Sequence, residues 1–150
     1  MSYLLDTSIL ARLANSADLQ HDLALEAVTE LLKQNDQLFI APQILVEFHN
    51  VATRPTENNG LGLDCTAAEK LMEQYELLFP ILPEVPRIFD VWKLVVHSHS
   101  VIGKQVHDAR LVAVCLCHGI NHILTFNIRH FNRFATSANG LVIVDPKSIP

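Results

Sequence analysis

The sequence predicts an α/β fold, a three-layer α/β/α sandwich with a central parallel sheet of about five strands. Apolar segments of about four or five residues alternate along the chain with segments whose apolar residues recur at helical spacing. No short hairpin turn joins one apolar segment to the next, so the strands are expected to be connected through helices. The length of 150 residues predicts a single domain, 1–150.

Each element follows from a local signal. The predicted strands are the apolar segments 2–5, 38–41, 78–82, 122–126 and 141–144. Pro80 would confine the third of them to a sheet edge. The predicted helices are 21–34, a helix from Pro42 to before Pro55, one that opens at a capping box Thr66–Glu69, one after Pro86, 108–118, and a short one at "IRHF".

Composition narrows the class of protein. Apolar residues make up 49% of the chain and charged residues 18%, as in ordinary globular proteins. The net charge of −5 and the lack of a lysine- or arginine-rich run disfavour a nonspecific nucleic-acid binder. No apolar run approaches the roughly 20 residues of a membrane span, and the start does not resemble a signal peptide. We therefore expect a cytoplasmic protein without membrane contact, whose three cysteines are buried free thiols.

The stretch "LLDTSIL" places an acid directly after a strand. Leu4 and Leu5 suit a buried strand, and Asp6 follows them, with two hydroxyl residues behind it, Thr7 and Ser8. In parallel sheets, ligands bind at the carboxyl ends of the strands. Asp6 is therefore a candidate site residue, and the cap of a helix beginning near Ser8 explains it equally well in isolation.

Two helices carry further acids. Glu47 lies at the boundary of the apolar face of its helix, where it either points into a cleft or pairs with an arginine at the rim. Asp108 shares its helical direction with the apolar residues Leu111, Val112 and Cys115. A buried carboxylate is costly without a partner, so Asp108 is expected to have a raised pKa, a structural capping role or a metal.

A fourth polar position follows a later strand. The segment "LTFN" places Thr125 and Asn127 at a strand end, where Asn127 either caps the next short helix or offers an amide oxygen. Carboxylate and carbonyl oxygens are the ligands that Mg²⁺ and Mn²⁺ prefer. The sequence therefore predicts a Mg²⁺ or Mn²⁺ site formed by Asp6, Glu47 and Asp108.

These segments together resemble the PIN domain, the small nuclease fold of the VapC-type toxins. The resemblance covers "LLDTSIL", "QILVEFHNV", "VHDARLVAVCLCHGI", "ILTFNIRHF" and the final strand "LVIVD". It implies a metal-dependent ribonuclease in which Asp6, Glu47 and Asp108 are catalytic and bind the metal, supported by Thr7 and Ser8. It also implies a homodimer and a small antitoxin partner.

The chain departs from that family at the fourth acidic position. Where the family often has an aspartate, this sequence offers Asn127 and His130. We interpret Asn127 as a neutral catalytic-site group that binds the metal or its water, and Thr125 as a supporting residue. The alternative is a degenerate PIN-like module that binds RNA or a protein partner without cleavage.

Basic residues flank the predicted site. Arg54, Lys104, Arg129 and Arg133 lie in neighbouring segments and are weak candidates for contacts with the RNA backbone.

A phosphatase with an acid after its first strand would need a second aspartate two residues on, where this chain has Ser8. The sequence thus disfavours that phosphatase, whereas the resemblance to the PIN domain implies phosphodiester cleavage.

Overall fold

The computed structural model describes residues 1–150 and contains one sheet of four parallel strands. The strand order across the sheet is β2-β1-β3-β4, with Leu4 opposite Phe39 and Leu5 opposite Leu124. The strands are β1 (Ser2–Leu5), β2 (Gln37–Phe39), β3 (His122–Leu124) and β4 (Val142–Val144). The predicted parallel α/β architecture is thereby confirmed.

Seven α-helices flank the sheet. They are α1 (Thr7–Leu13), α2 (His21–Lys33), α3 (Pro42–Thr53), α4 (Cys65–Leu78), α5 (Arg87–Ser98), α6 (Gln105–His118) and α7 (Ile128–Phe131). Short 3₁₀ turns occupy Thr56–Asn58, Asn132–Phe134 and Pro146–Ser148. Helices connect the parallel strands because a parallel pair cannot be joined by a tight turn.

The predicted strand at 78–82 is wrong, and the sheet has four strands rather than about five. Leu78 ends α4, and Ile81 forms only an isolated parallel bridge with Ile40. Pro80 has no amide hydrogen, so it can only accept, and its carbonyl takes the Ile40 N–H at 3.1 Å. The proline therefore stops the pairing after a single bridge.

Two helix starts and one thiol also differ from expectation. Asp64, rather than Thr66, caps α4 by accepting the Ala67 N–H at 2.7 Å. Helix α6 begins at Gln105, so Asp108 lies in its first turn and is not its cap. All three cysteines are free thiols, but Cys65 is exposed because it is the first residue of α4.

One hydrophobic cluster of 33 buried residues includes side chains from all the layers. Leu4, Leu5, Ile123 and Leu124 are fully buried, as expected where helices cover both faces of a parallel sheet. In α6 the whole segment 111–115 is buried, so this helix runs through the interior rather than over the surface. No helix is long and apolar enough to cross a membrane.

Backbone pairing continues just past the ends of the central strands. The Asp6 N–H donates to the Leu124 carbonyl at 3.0 Å, and the Thr125 N–H donates to the Val144 carbonyl at 3.0 Å. Asp6 and Thr125 are therefore held side by side at the carboxyl edge of the sheet. That edge is where open parallel sheets bind ligands.

Candidate active site

Asp6 is fixed by hydroxyl donors at the end of β1. Its Oδ2 accepts hydrogen bonds from Ser8 Oγ at 2.8 Å and Thr125 Oγ1 at 2.7 Å, and from the Ser8 N–H at 3.4 Å. The residue is 4% exposed and is also the N-cap of α1. The helix-cap interpretation of "LLDTSIL" is therefore confirmed, whereas the role of Asp6 as a site residue stays a prediction, with Oδ1 left without a protein donor.

Thr125 and Ser8 connect Asp6 to the segment after β3. Thr125 Oγ1 accepts the Asn127 N–H at 2.9 Å while it donates to Asp6. Ser8 Oγ accepts the Phe126 N–H at 3.1 Å. The two hydroxyls thus set the position of the carboxylate and of the following backbone together, and Thr125 is completely buried.

Glu47 is held from both sides by uncharged donors. Thr7 Oγ1 donates to its Oε2 at 2.8 Å, and Gln43 Nε2 donates to its Oε1 at 2.9 Å. Gln43 lies one turn earlier on α3 and also donates to the His107 carbonyl on α6 at 2.8 Å. Glu47 forms no ion pair with an arginine, so the rim-pair alternative is wrong.

Asp108 faces the same region from α6. Its side chain is 25% exposed, and the basic side chain nearest to it is the imidazole of His130, whose Nδ1 lies 3.9 Å from Oδ2. Burial, followed by the negative charges of Asp6 and Glu47, raises the pKa of the Asp108 carboxyl from 3.8 to about 6, against the lowering effect of His130 and His107. Three acids are therefore close enough to repel one another.

A cleft of about 590 Å³ at the carboxyl edge brings the predicted residues together. Asp6, Glu47, Asp108 and Asn127 all line it, as do Thr7, Ser8 and Arg54. Thr125 lies beneath the cleft wall and contacts it through Asp6. His130 is exposed and does not line the cleft.

Asn127 has a free side chain. It precedes α7, but its side chain makes no capping hydrogen bond. Of the two possibilities for this residue, the helix cap is therefore wrong, and the amide remains available to the cleft.

The predicted basic residues divide into two groups. Arg54 lines the cleft, whereas Lys104, Arg129 and Arg133 do not. Arg133 instead donates to the Gln105 side chain and to the His99 carbonyl. These contacts connect it to the end of α5 and the start of α6.

The sequence did not predict several of the residues that line the cleft. Arg12, Asn15 and Asp18 line it, together with Asn59 and Gly60. Arg12 is one helical turn after Ser8, so its position on the cleft side of α1 follows from the i,i+4 spacing. No comparable signal in the sequence indicates that the loop around Asn59 folds back to the same place.

The acids do not form a compact metal cage. No group of three or more histidine, cysteine, aspartate or glutamate side chains is arranged to hold an ion by itself. Glu47 has both oxygens engaged by Thr7 and Gln43. The oxygen donors nevertheless fit Mg²⁺, which is usually held by one or two carboxylates and retains several waters.

The fold and the site define a parallel α/β protein with a carboxylate-lined cleft at the carboxyl edge of its sheet. The sequence profile of the PIN domain matches residues 3–136. The chain therefore belongs to the PIN domain family.

Solved structures with the same fold extend over nearly the whole chain. VapBC-1 from nontypeable Haemophilus influenzae matches with a TM-score of 0.71 and 17% identity, covering 99% of this chain and 100% of that one. VapBC2 from Rickettsia felis, bound to a promoter DNA fragment, gives 0.67 and 16%, with 97% and 98% covered. VapC20 from Mycobacterium tuberculosis, described as a sarcin-ricin loop cleaving toxin, gives 0.60 and 19%, with 93% and 96% covered. None of the curated proteins matches the sequence.

Proposed function

We propose that this PIN domain is a Mg²⁺- or Mn²⁺-dependent endoribonuclease that hydrolyses RNA phosphodiester bonds, and that it is the toxin of a type II toxin–antitoxin pair. One observation carries the proposal. Asp6, Glu47 and Asp108 come from three separate elements and line one cleft, and none of them forms an ion pair with a lysine or arginine. Such an arrangement is costly to the fold unless a cation is bound there.

In the proposed mechanism, Asp6 and Asp108 would hold the divalent ion. A bound ion of this kind lowers the pKa of a water and neutralises charge on a phosphate. Thr125 and Ser8 fix Asp6 Oδ2 and thereby aim the free Oδ1. Glu47, held by Thr7 and Gln43, completes the acidic wall and accepts a proton from the attacking water. Asn127 presents an uncharged amide to the same space.

A non-cleaving module is the second candidate function. It is favoured by the amide at Asn127, where the family often has an acid, and by the lack of a preformed group of three ligands. In that case the cleft would bind RNA or a protein partner without hydrolysis. The two candidates differ in one observable, which is metal-dependent cleavage.

We also propose a small antitoxin partner and a homodimer. The structural neighbours named VapBC-1, VapBC2 and FitAB are toxin–antitoxin complexes, which supports such a partner here. Large apolar side chains on α4 and α5 are exposed, among them Leu77 and Leu94 at 88% and 70%, and suit a protein interface. Growth arrest on expression, relieved by the product of an adjacent gene, and a dimeric mass by light scattering are the expected results. A monomeric mass would contradict the dimer.

The first test is cleavage of a mixed RNA pool with and without Mg²⁺ or Mn²⁺. We expect cleavage that requires the ion and falls on the order of 10³-fold in Asp6→Asn and in Asp108→Asn, since metal-assisted stabilisation contributes several kcal/mol. Asp6→Asn retains a good helix cap, so the fold should persist. Asp90→Asn, an exposed surface acid, is the matched control. Equal cleavage by Asp6→Asn and the control would overturn the proposal.

A further inference from the structure

The cleft also contains basic side chains that the proposed chemistry does not use. Beside the three acids, its lining includes the two arginines Arg12 and Arg54, and around them Asn15 and Asn59. Arginine presents planar N–H donors that match phosphate geometry. A cleft that contains two guanidinium groups as well as carboxylates differs from a uniformly acidic metal site.

Arg54 is held in place without being neutralised. The only hydrogen bond of its side chain runs from Nη2 to the Asn59 carbonyl at 3.2 Å, and the guanidinium forms no ion pair. Its Nε is buried and has no hydrogen-bond partner. An unpaired buried donor on a cation is costly, and no acidic side chain offsets the charge of this guanidinium, which lines the cleft.

The loop after α3 folds tightly around Arg54. The Gly62 N–H donates to the Arg54 carbonyl at 2.9 Å, and Gly60 donates to the Pro55 carbonyl at 3.0 Å. A Cβ on Gly60 would lie 1.9 Å from the Arg54 carbonyl oxygen, so only glycine permits this approach. The loop therefore presets the position of the guanidinium before any ligand arrives.

Arg12 differs because it has a partial counter-charge. Its Nε lies 4.0 Å from Asp18 Oδ2 and donates to Gln20 Oε1 at 3.3 Å. Its guanidinium also lies 5.4 Å from the centre of the Phe126 ring. Of the two arginines, Arg12 is thus the more satisfied, and Asp18 reduces its attraction for an anion.

We propose that Arg54 and Arg12 form a phosphate subsite, which holds a backbone phosphate of the RNA strand next to the phosphate that reacts at the acids. The inference deepens the proposed nuclease function and rests on it for the identity of the strand. Arg54 supplies the stronger contact because nothing neutralises it. Asp18 limits the contribution of Arg12.

The test measures binding separately from cleavage. A short fluorescent single-stranded RNA of mixed sequence is titrated with each protein in EDTA, where the proposed nuclease is silent, and the affinity is followed by anisotropy over a range of salt. Arg54→Gln is expected to weaken binding about tenfold, as for loss of one charge-assisted hydrogen bond. The slope of log affinity against log salt should fall by about 0.7. Arg12→Gln should have a smaller effect in the same direction.

A variant that is expected to bind RNA more tightly provides a second test, because misfolding would weaken specific binding rather than strengthen it. Asp18→Asn keeps the oxygen that accepts the Gln20 N–H but removes the charge beside Arg12, so it should bind RNA a few times more tightly. The matched controls are Arg87→Gln and Glu73→Gln, exposed residues outside the cleft that change the net charge equally.

The outcomes separate the two proposals. If Arg54→Gln loses no more affinity than Arg87→Gln, or Asp18→Asn gains no more than Glu73→Gln, the subsite is overturned even if the protein cleaves RNA. If the binding differences appear but no cleavage occurs with Mg²⁺ or Mn²⁺, the subsite stands and the nuclease proposal falls.

Discussion

Two charged residues of helix α6, Arg110 and Asp108, have opposite electrostatic surroundings. Arg110 donates to Glu84 Oε2 at 2.6 Å and to Gln43 Oε1 at 3.0 Å, so its charge is paired at the surface. Asp108, two residues earlier, faces Asp6 and Glu47, and its only cationic neighbours are histidines. One helix therefore carries both an ordinary surface ion pair and an electrostatic conflict.

The Glu84–Arg110 pair and Asp108 differ in what they contribute to stability and to the proposed function. The Glu84–Arg110 pair is partly exposed on both sides, and such pairs contribute little to folding. The conflict at Asp108 opposes folding of the metal-free protein, because burial and like charges disfavour its ionised form. A fold that retains such a conflict in a cleft is consistent with a cation that binds there.

Among variants that keep all three acids, the largest effect is expected at Thr125, which holds Asp6 in place. Thr125→Val removes the hydroxyl that donates to Asp6 and accepts the Asn127 N–H, so the carboxylate loses its orientation and a backbone donor loses its partner. We expect metal affinity or RNA cleavage to fall about 10- to 100-fold, the usual effect of losing a group that orients a metal ligand. Calorimetric titration with Mn²⁺ measures the affinity.

The control for that variant is Thr53→Val. Thr53 Oγ1 donates to the His49 carbonyl within α3, and the residue does not line the cleft. Its Mn²⁺ affinity should equal that of the unmodified protein. Equal losses in both threonine variants would mean that general destabilisation, rather than the orientation of Asp6, explains the result.

Asp108→Asn should stabilise the metal-free fold above pH 6. The folded-state pKa of about 6 lies above the unfolded value of 3.8, so the folded protein retains the proton between these values. The contribution of Asp108 to stability is therefore most favourable below pH 4 and is lost as the pH rises through 6. After allowance for the 25% exposure of the side chain, the variant should gain about 2 kcal/mol in the free energy of unfolding at pH 8.

Urea unfolding in EDTA at pH 4 and pH 8 measures this gain. The advantage of Asp108→Asn should largely vanish at pH 4, where Asp108 of the unmodified protein is protonated in the folded state and close to half protonated in the unfolded state. Adding Mg²⁺ at pH 8 should stabilise the unmodified protein more than the variant, because a bound cation relieves the repulsion. If the variant were less stable than the unmodified protein at pH 8, the ionised carboxylate of Asp108 would not destabilise the metal-free fold.

The sequence predicted the acids better than their surroundings. Asp6 follows an apolar strand and Asp108 lies on a buried helical stripe, and both patterns are local, so their convergence follows from the parallel topology. The hydrogen bonds from Gln43 to Glu47 and His107 depend on how α3 packs against α6. Residue spacing along a single helix contains no information about that packing.

The errors have a similar origin. Pro80 indicated an edge strand, but whether an edge strand forms depends on the neighbouring chain, and here only Ile40 and Ile81 form a bridge. The loop that places Asn59 beside Arg54 depends on a left-handed residue and a glycine contact. Tertiary contacts of this kind override local propensity, and they also determine which arginines reach the cleft.

The smallest effect is expected on the paired face of α6. Glu84→Gln removes the charge opposite Arg110 but leaves the hydrogen bond from Arg110 to Gln43. The free energy of unfolding should fall by less than about 1 kcal/mol, and the change should shrink in high salt, since exposed ion pairs are weak and screened. The same urea titrations, repeated at low and high salt, measure it. If Glu84→Gln instead lowered Mn²⁺ affinity as much as Thr125→Val does, the two faces of α6 would be coupled through Gln43, and the separation of stability from function along this helix would fail.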